Sequence, residues 1–128
     1  RLLDEGTRYA VQRRQFGQPI GKFQMIQAML AESQAEYLAA KALVEKSARD
    51  KDAGCKSTME AACSKYYATE VAGRIADRML QIHGGNGYIK EYPIERLYRD
   101  VRLLRIYEGT SQILQIITAR EMLREAGL

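Results

Sequence analysis

The sequence predicts an all-α fold, an antiparallel four-helix bundle with one extra short helix. Three observations predict it. Apolar residues recur at three- and four-residue spacing through each long segment, and no strand pattern or repeat stands out. Only two prolines occur, amid many Ala, Leu, Glu, Arg and Gln, which favour helix. Glycines and capping residues punctuate the chain where the periodic stretches end. A length of 128 residues is enough for one domain with a real core, and 46% hydrophobic against 28% charged residues is the balance of a folded chain.

The first helix is expected from residue 1 to about 14, with Leu2, Leu3, Ala10 and Val11 on its apolar side. Arg13 and Arg14 then fall at its C-terminal end, where the dipole favours cations. Phe16-Gly17-Gln18-Pro19-Ile20-Gly21 reads as a connector, because two glycines and a proline break the periodicity. A long helix follows from about Phe23 to Ala53, with Ile26, Met29, Leu30, Ser33, Tyr37, Ala40 and Val44 on one face and Gly54 placed to cap it.

Ser57-Thr58-Met59-Glu60 has the form of a capping box and opens the next helix. That helix carries two apolar rows. One is Met59, Cys63, Tyr67, Val71, Ile75 and Met79; beside it run Ala62, Tyr66, Gly73, Ala76 and Leu80. So wide a face belongs to a helix packed on two sides. Gly84-Gly85-Asn86-Gly87 stops it. Pro93 starts a short helix running to about Arg102. Thr110 and Ser111 begin the last helix, whose apolar face is Ile113, Leu114, Ile116, Ile117, Met122 and Leu123.

Composition narrows the function. A formal charge of +4, from 20 Lys+Arg against 16 Asp+Glu mixed along the chain, suits an anionic small molecule better than a nucleic-acid track. Cys55 and Cys63 form no CxxC pair and no metal site is predicted. No apolar run is long enough to span a bilayer and nothing resembles a cleavable signal, so the expected compartment is the cytoplasm or an organelle matrix. The chain opens in mid-pattern at Arg1-Leu2-Leu3, and residues 1–128 are expected to be the C-terminal piece of a longer protein.

Three stretches can carry chemistry. In Arg105-Ile106-Tyr107-Glu108-Gly109-Thr110-Ser111-Gln112, one carboxylate lies in an apolar and aromatic setting beside a glycine hinge. Desolvated there, Glu108 would have the raised pKa that a general base needs; the plainer reading is a first-turn Glu favoured by the helix dipole. In Gln81-Ile82-His83-Gly84-Gly85-Asn86-Gly87-Tyr88, the glycines follow a helix and lack the GxGxxG spacing, which excludes a Rossmann fingerprint. They still let backbone approach a ligand closely, although they also serve as an ordinary helix stop. His83, the only histidine, lacks a second metal ligand nearby and reads as structural or exposed. Arg13, Arg14, Gln15 and Phe16 combine cations, an amide and an aromatic plane, a set able to hold a pyrophosphate and an adenine-like ring, or simply a solvated helix end.

Taken in order, these stretches resemble the acyl-CoA dehydrogenase family. The resemblance rests on Arg13 to Ile20 with Phe23-Gln24, on Gln81 to Tyr88 with Glu91-Tyr92-Pro93, and on Arg99-Asp100 with Ile106 to Thr110. It covers essentially the whole chain, as that family's C-terminal helical domain. The resemblance implies a three-domain flavoprotein, a homodimer or homotetramer, with FAD between the middle and C-terminal domains and its adenosine end crossing the dimer interface. It implies that Arg13 reaches the FAD pyrophosphate of the neighbouring subunit, accompanied by Gln15 and Phe16, with Gln24 near the adenine. Gln81 and Gly85, with the backbone of Ile82, His83 and Gly84, would line that same FAD. Thr110 and Gln112 would contact the FAD of their own subunit.

By the same resemblance, Tyr107 and Gly109 belong to the acyl pocket and Glu108 is the catalytic base. The implied reaction is α,β-dehydrogenation of an acyl-CoA to a trans-2-enoyl-CoA, with the N–H of Glu108 helping to polarise the thioester carbonyl and an electron-transfer flavoprotein taking the electrons. The fragment alone is expected to be inactive. An acyl-CoA oxidase shares these residues. A non-catalytic helical assembly or nucleic-acid-binding member of the same scaffold is the reading from another class; loss of the base would be its mark, and Glu108 is present.

Overall fold

The computed structural model describes all residues, 1–128. Its axis is the helix α3, Thr58–His83, against which every other helix packs. Those are α1 (Leu2–Gln12), α2 (Gln24–Asp52), α4 (Pro93–Leu103) and α5 (Ser111–Glu125). The two apolar rows of α3 explain its place: Ala62, Val71, Ile75, Ala76, Met79 and Ile82 are all buried, on a stripe wide enough to meet several neighbours. The core gathers at the C-terminal half of α3, where Val71, Ile75, Met79 and Ile82 meet Ala10 of α1, Ala40 of α2, Ile94 of α4 and Ile20.

Close approach fixes α1 there. A Cβ added to Gly6 would lie 2.2 Å from the Met79 sulfur, so only a residue without a side chain lets the two helices come this near. α2 and α3 are joined by the short turn 53–57, with Gly54 at φ +75 past the end of α2, and so run antiparallel. Across that pair Glu36 accepts from Arg74 Nε at 2.7 Å and from Arg78 Nη1 at 2.6 Å.

Several expectations are corrected. α1 ends at Gln12; Arg13 is its C-cap with extended backbone, so Arg13 and Arg14 do not sit in its last turn. The connector holds a small hairpin, β1 (Arg14–Gln15) paired antiparallel with β2 (Gln18–Pro19). Two-residue strands are too short to leave an alternating pattern in sequence. Phe16 at φ +50 and Gly17 at φ +79 form its tip, both with the positive φ that a tight two-residue hairpin requires. Ser57 stands at the start of α3 but makes no side-chain cap bond, so the capping box is not formed. The glycine run does stop α3, at His83 with Gly84 as its C-cap, and Gly84–Tyr88 then forms a 3-10 turn.

The predicted face of α5 buries only Leu114 fully; Ile113, Ile116, Met122 and Leu123 are half-exposed, because α5 packs chiefly on α3 alone. Val11 is likewise exposed. No helix is long and apolar enough to cross a membrane.

Candidate functional site

The hairpin and the glycine-rich end of α3 face each other across a cleft of about 480 Å³. Arg13, Gln15 and Phe16 line one side; Ile82, His83, Gly84, Gly85 and Asn86 line the other, with Tyr9, Ile20, Phe23 and Ile26 between them. Thus two stretches separated by some seventy residues in sequence are brought to one site. Gln24 and Gln81 are exposed and lie outside this lining. For Gln81 the reason is helical rotation: its neighbour Ile82 turns into the core, which turns Gln81 away by about 100°.

The cleft wall is ordered by an aromatic cluster. The rings of Tyr9 and His83 stack at 4.1 Å, and Tyr92 meets both edge-on. Asn86 Nδ2 donates to the Tyr9 hydroxyl at 2.8 Å and to the Tyr92 hydroxyl at 3.2 Å. His83 is buried, with Nδ1 2.7 Å from the Met79 carbonyl. A carbonyl only accepts, so Nδ1 carries the proton and donates. Sequence reasoning missed Tyr9 and Asn86. Tyr9 precedes Arg13 by one helical turn, and that i, i+4 spacing was the available signal.

Phe16 is 91% exposed at the hairpin tip, its ring edge-on to Phe23 at 6.1 Å. Gly84, at φ +56, and Gly85 have open space where a Cβ would project. An arginine, an aromatic plane held in solvent and unobstructed backbone make a cleft suited to an anionic ligand bearing a flat ring.

The second group of residues lies on the loop between α4 and α5, and none of residues 107–112 lines that cleft. Glu108 takes φ +52 and Gly109 φ +101. A non-glycine residue in the left-handed region is strained, a condition that gathers at functional loops. Glu108 and Tyr107 are exposed, as is Gln112. The desolvation expected of Glu108 is therefore not supplied by this chain, and Glu108 precedes the first turn of α5 instead of lying in it. Neither its carboxylate nor its backbone N–H has a partner within the chain. Thr110 is the N-cap of α5; its Oγ1 accepts from the Ile113 N–H at 3.3 Å.

Two side chains of α3, neither singled out from sequence, hold this loop. Lys65 Nζ donates to the carbonyls of Leu104 at 2.7 Å, Tyr107 at 3.1 Å and Gly109 at 2.8 Å, and lies 5.8 Å from the Tyr107 ring centre. Glu70 accepts from Arg105 Nη1 at 3.3 Å and from Ser111 Oγ at 2.7 Å. Gly73 leaves room for that arginine: a Cβ there would stand 3.0 Å from its guanidinium carbon.

Comparison with known proteins identifies the scaffold. The family described as Acyl-CoA dehydrogenase, C-terminal domain, matches residues 1–123. A 3-(aryl)acrylate reductase of Clostridium sporogenes is 52% identical over 95% of this chain and 32% of its own length. The CarC subunit of the caffeyl-CoA reductase-Etf complex of Acetobacterium woodii is 46% identical over 96% of this chain, again 32% of its own. The solved structure of butyryl-CoA dehydrogenase from Megasphaera elsdenii superposes with a TM-score of 0.94 at 41% identity, covering 96% of this chain and 32% of that one. The chain thus spans about a third of the length of the relatives it matches. On the family match, the helical fold and these identities, the chain belongs to the acyl-CoA dehydrogenase family, as its C-terminal domain.

Proposed function

We propose that residues 1–128 are the C-terminal domain of a three-domain FAD-dependent enzyme that interconverts an acyl-CoA thioester and its trans-2-enoyl-CoA. The observation that carries this reading is the apex of the α4–α5 loop: a carboxylate without an ion-pair partner and a backbone N–H without an acceptor, both on Glu108. In the oxidative direction, the Glu108 carboxylate removes the α-proton of the thioester. Negative charge then grows on the carbonyl oxygen, and the Glu108 N–H donates to it. When bound, FAD would supply the acceptor, at flavin N5, for the β-hydrogen leaving as hydride. Tyr107 and Gly109 flank the acyl group. Further domains closing over the exposed Glu108 would exclude water from the proton transfer.

The composition of the cleft supports FAD. Arg13 would neutralise its pyrophosphate, with Gln15 beside it, while Phe16 offers a face to the adenine and Gln24 an amide near it. The backbone of Ile82 to Gly85 would approach the same molecule, and Gln81 would join from outside the lining. The cleft and the Glu108 loop are separate within one chain, an arrangement suited to a homodimer or homotetramer in which each cofactor touches two copies. Thr110 and Gln112 would then serve the cofactor of their own subunit.

An electron-transfer flavoprotein is the proposed redox partner, supported by the Etf-containing complex to which one relative belongs. Both curated relatives described above carry the name of reductases, which favours a second reading, operation in the reverse direction with Glu108 delivering the proton to the α-carbon.

The test is anaerobic titration of the full-length flavoprotein with a panel of saturated and 2-enoyl acyl-CoA esters, followed by oxidised-flavin absorbance. Bleaching by a saturated ester, or recolouring of the dithionite-reduced protein by an enoyl ester, is the expected result. Glu108→Gln should keep FAD yet lose both. A protein that binds flavin but responds to no ester, or a Glu108→Gln variant with the parent rate, would overturn the reading.

A further inference from the structure

We propose that Lys65 is a positioning residue that aims and polarises the backbone N–H of Glu108; the inference rests on the role given to Glu108 above. An ammonium group has three donors and no acceptor, and here all three are spent on one loop, at the carbonyls of Leu104, Tyr107 and Gly109. Two of those carbonyls belong to the residues on either side of Glu108.

Peptide geometry turns these contacts into orientation. The Tyr107 carbonyl and the Glu108 N–H belong to one planar trans peptide, in which C=O and N–H point in opposite directions. Drawing the carbonyl inward onto Lys65 therefore turns the Glu108 N–H outward, away from α3. The Gly109 carbonyl, drawn inward by the same ammonium, turns the Thr110 N–H outward likewise. A cation bonded to an amide oxygen also withdraws charge from the nitrogen, so the N–H on the far side becomes a stronger donor. Lys65 thus presents a fixed, polarised donor where the thioester oxygen gains negative charge, and it does so without touching the substrate.

The left-handed backbone of Glu108 gives the lysine a further task. At φ +52, followed by Gly109 at φ +101, the loop holds a conformation that a non-glycine residue leaves readily unless its surroundings enforce it. The Glu70 contacts to Arg105 and Ser111 anchor the shoulders of the loop; Lys65 alone bonds to the carbonyls of the residues on either side of Glu108, and through Tyr107 to the peptide that carries the Glu108 N–H. Its place on α3, the most deeply packed helix, makes the anchor rigid.

The test uses the full-length flavoprotein with Lys65→Met, which keeps an unbranched stem and removes all donors, and Lys65→Arg, which restores cationic donors. Butyryl-CoA and 3-phenylpropanoyl-CoA serve as probes for anaerobic flavin reduction, beside flavin content and the thermal midpoint. Loss of one donor to a developing oxyanion lowers rates by roughly 10²–10³-fold, so Lys65→Met is expected to cut the saturated reduction rate by about 10²-fold. The half-saturating ester concentration should move less than about threefold, and Lys65→Arg should recover at least tenfold, the pattern of a group acting on the transition state.

A Lys65→Met protein that reduces within about threefold of the parent rate, or that loses only apparent affinity, overturns the proposal. Should Lys65→Met fail to hold FAD, Lys65→Gln is read by the same criteria, and its failure to fold as well would make the residue purely structural and overturn the proposal. Glu108→Gln runs alongside. Parent-like reduction in that variant removes the base assignment itself, whereas a silent Glu108→Gln beside a fast Lys65→Met removes only the role of Lys65.

Discussion

Replacing Gly6 with alanine tests how the cleft between the hairpin and the end of α3 is assembled. The added methyl would sit 2.2 Å from the Met79 sulfur, 3.2 Å from its Cγ and 3.4 Å from its Cβ. Favourable carbon contacts lie at about 3.5–4.0 Å, so roughly 1.5 Å must be recovered at the sulfur. Methionine is flexible, but Met79 is 0% exposed, so its chain must give way inside a packed core. Overpacking of this kind costs about 1–3 kcal/mol, and the short distance argues for the upper end. Alanine is the better helix former by about 1 kcal/mol, which offsets part of it.

The net expectation is a loss of about 2 kcal/mol, seen as a fall of several degrees in the thermal midpoint of the full-length protein. The cleft should suffer too, since Tyr9 and Arg13 ride on α1 and move with it. Combining Gly6→Ala with Met79→Ala removes the clashing sulfur, so the double variant should be more stable than the sum of its single effects by about 1 kcal/mol or more. A Gly6→Ala protein with a raised midpoint and full flavin content would refute this account of how α1 is seated. Strict additivity in the double variant would do the same.

Arg13→Ala should lower FAD retention by about tenfold or more, since a charge-assisted bond to an anion is worth about 1.5–3 kcal/mol; flavin content after gel filtration, unchanged in the variant, would count against the assignment. Glu36 gives a pH dependence. Burial pushes its carboxyl up, but the bonds from Arg78 and Arg74 outweigh that and hold it below the ordinary glutamate value. The stabilisation is therefore complete above the ordinary glutamate range and is lost as pH falls through the depressed folded value. Denaturant midpoints measured from neutral to acid pH should fall less steeply in Glu36→Gln than in the parent, and parallel curves would contradict the linkage.

What was legible in the sequence follows from the range of the interactions involved. The helices were readable because their signals are local: the spacing of Val71, Ile75 and Met79, Pro93 at the start of α4, and Thr110 as a cap all act within a turn or two. The β1–β2 hairpin was not, because its two-residue strands depend on positive φ at Phe16 and Gly17, and phenylalanine does not announce that conformation. The same limit hid the uncovered face of α5. A row of apolar residues shows that a face is to be buried, and says nothing about whether its cover lies in the same chain.

For the site, the residues that would touch ligand were easier to find than those that hold them. Arg13, Phe16 and the Gln81–Gly85 run stand out by residue type, and the structure brings most of them to one cleft. Lys65 looks like any lysine on a helix that also exposes Arg74 and Asp77, and its partners are carbonyls, which have no identity in a sequence at all. Its three acceptors lie 39 to 44 residues away along the chain. Contacts of a side chain with distant backbone become visible only once the fold is built. In this domain the groups that would orient the reacting loop are of that kind, whereas the groups that would react are not. A search restricted to residues of unusual type therefore finds Glu108 and passes over the lysine on which, by the geometry of the Tyr107–Glu108 peptide plane, the direction of its N–H depends.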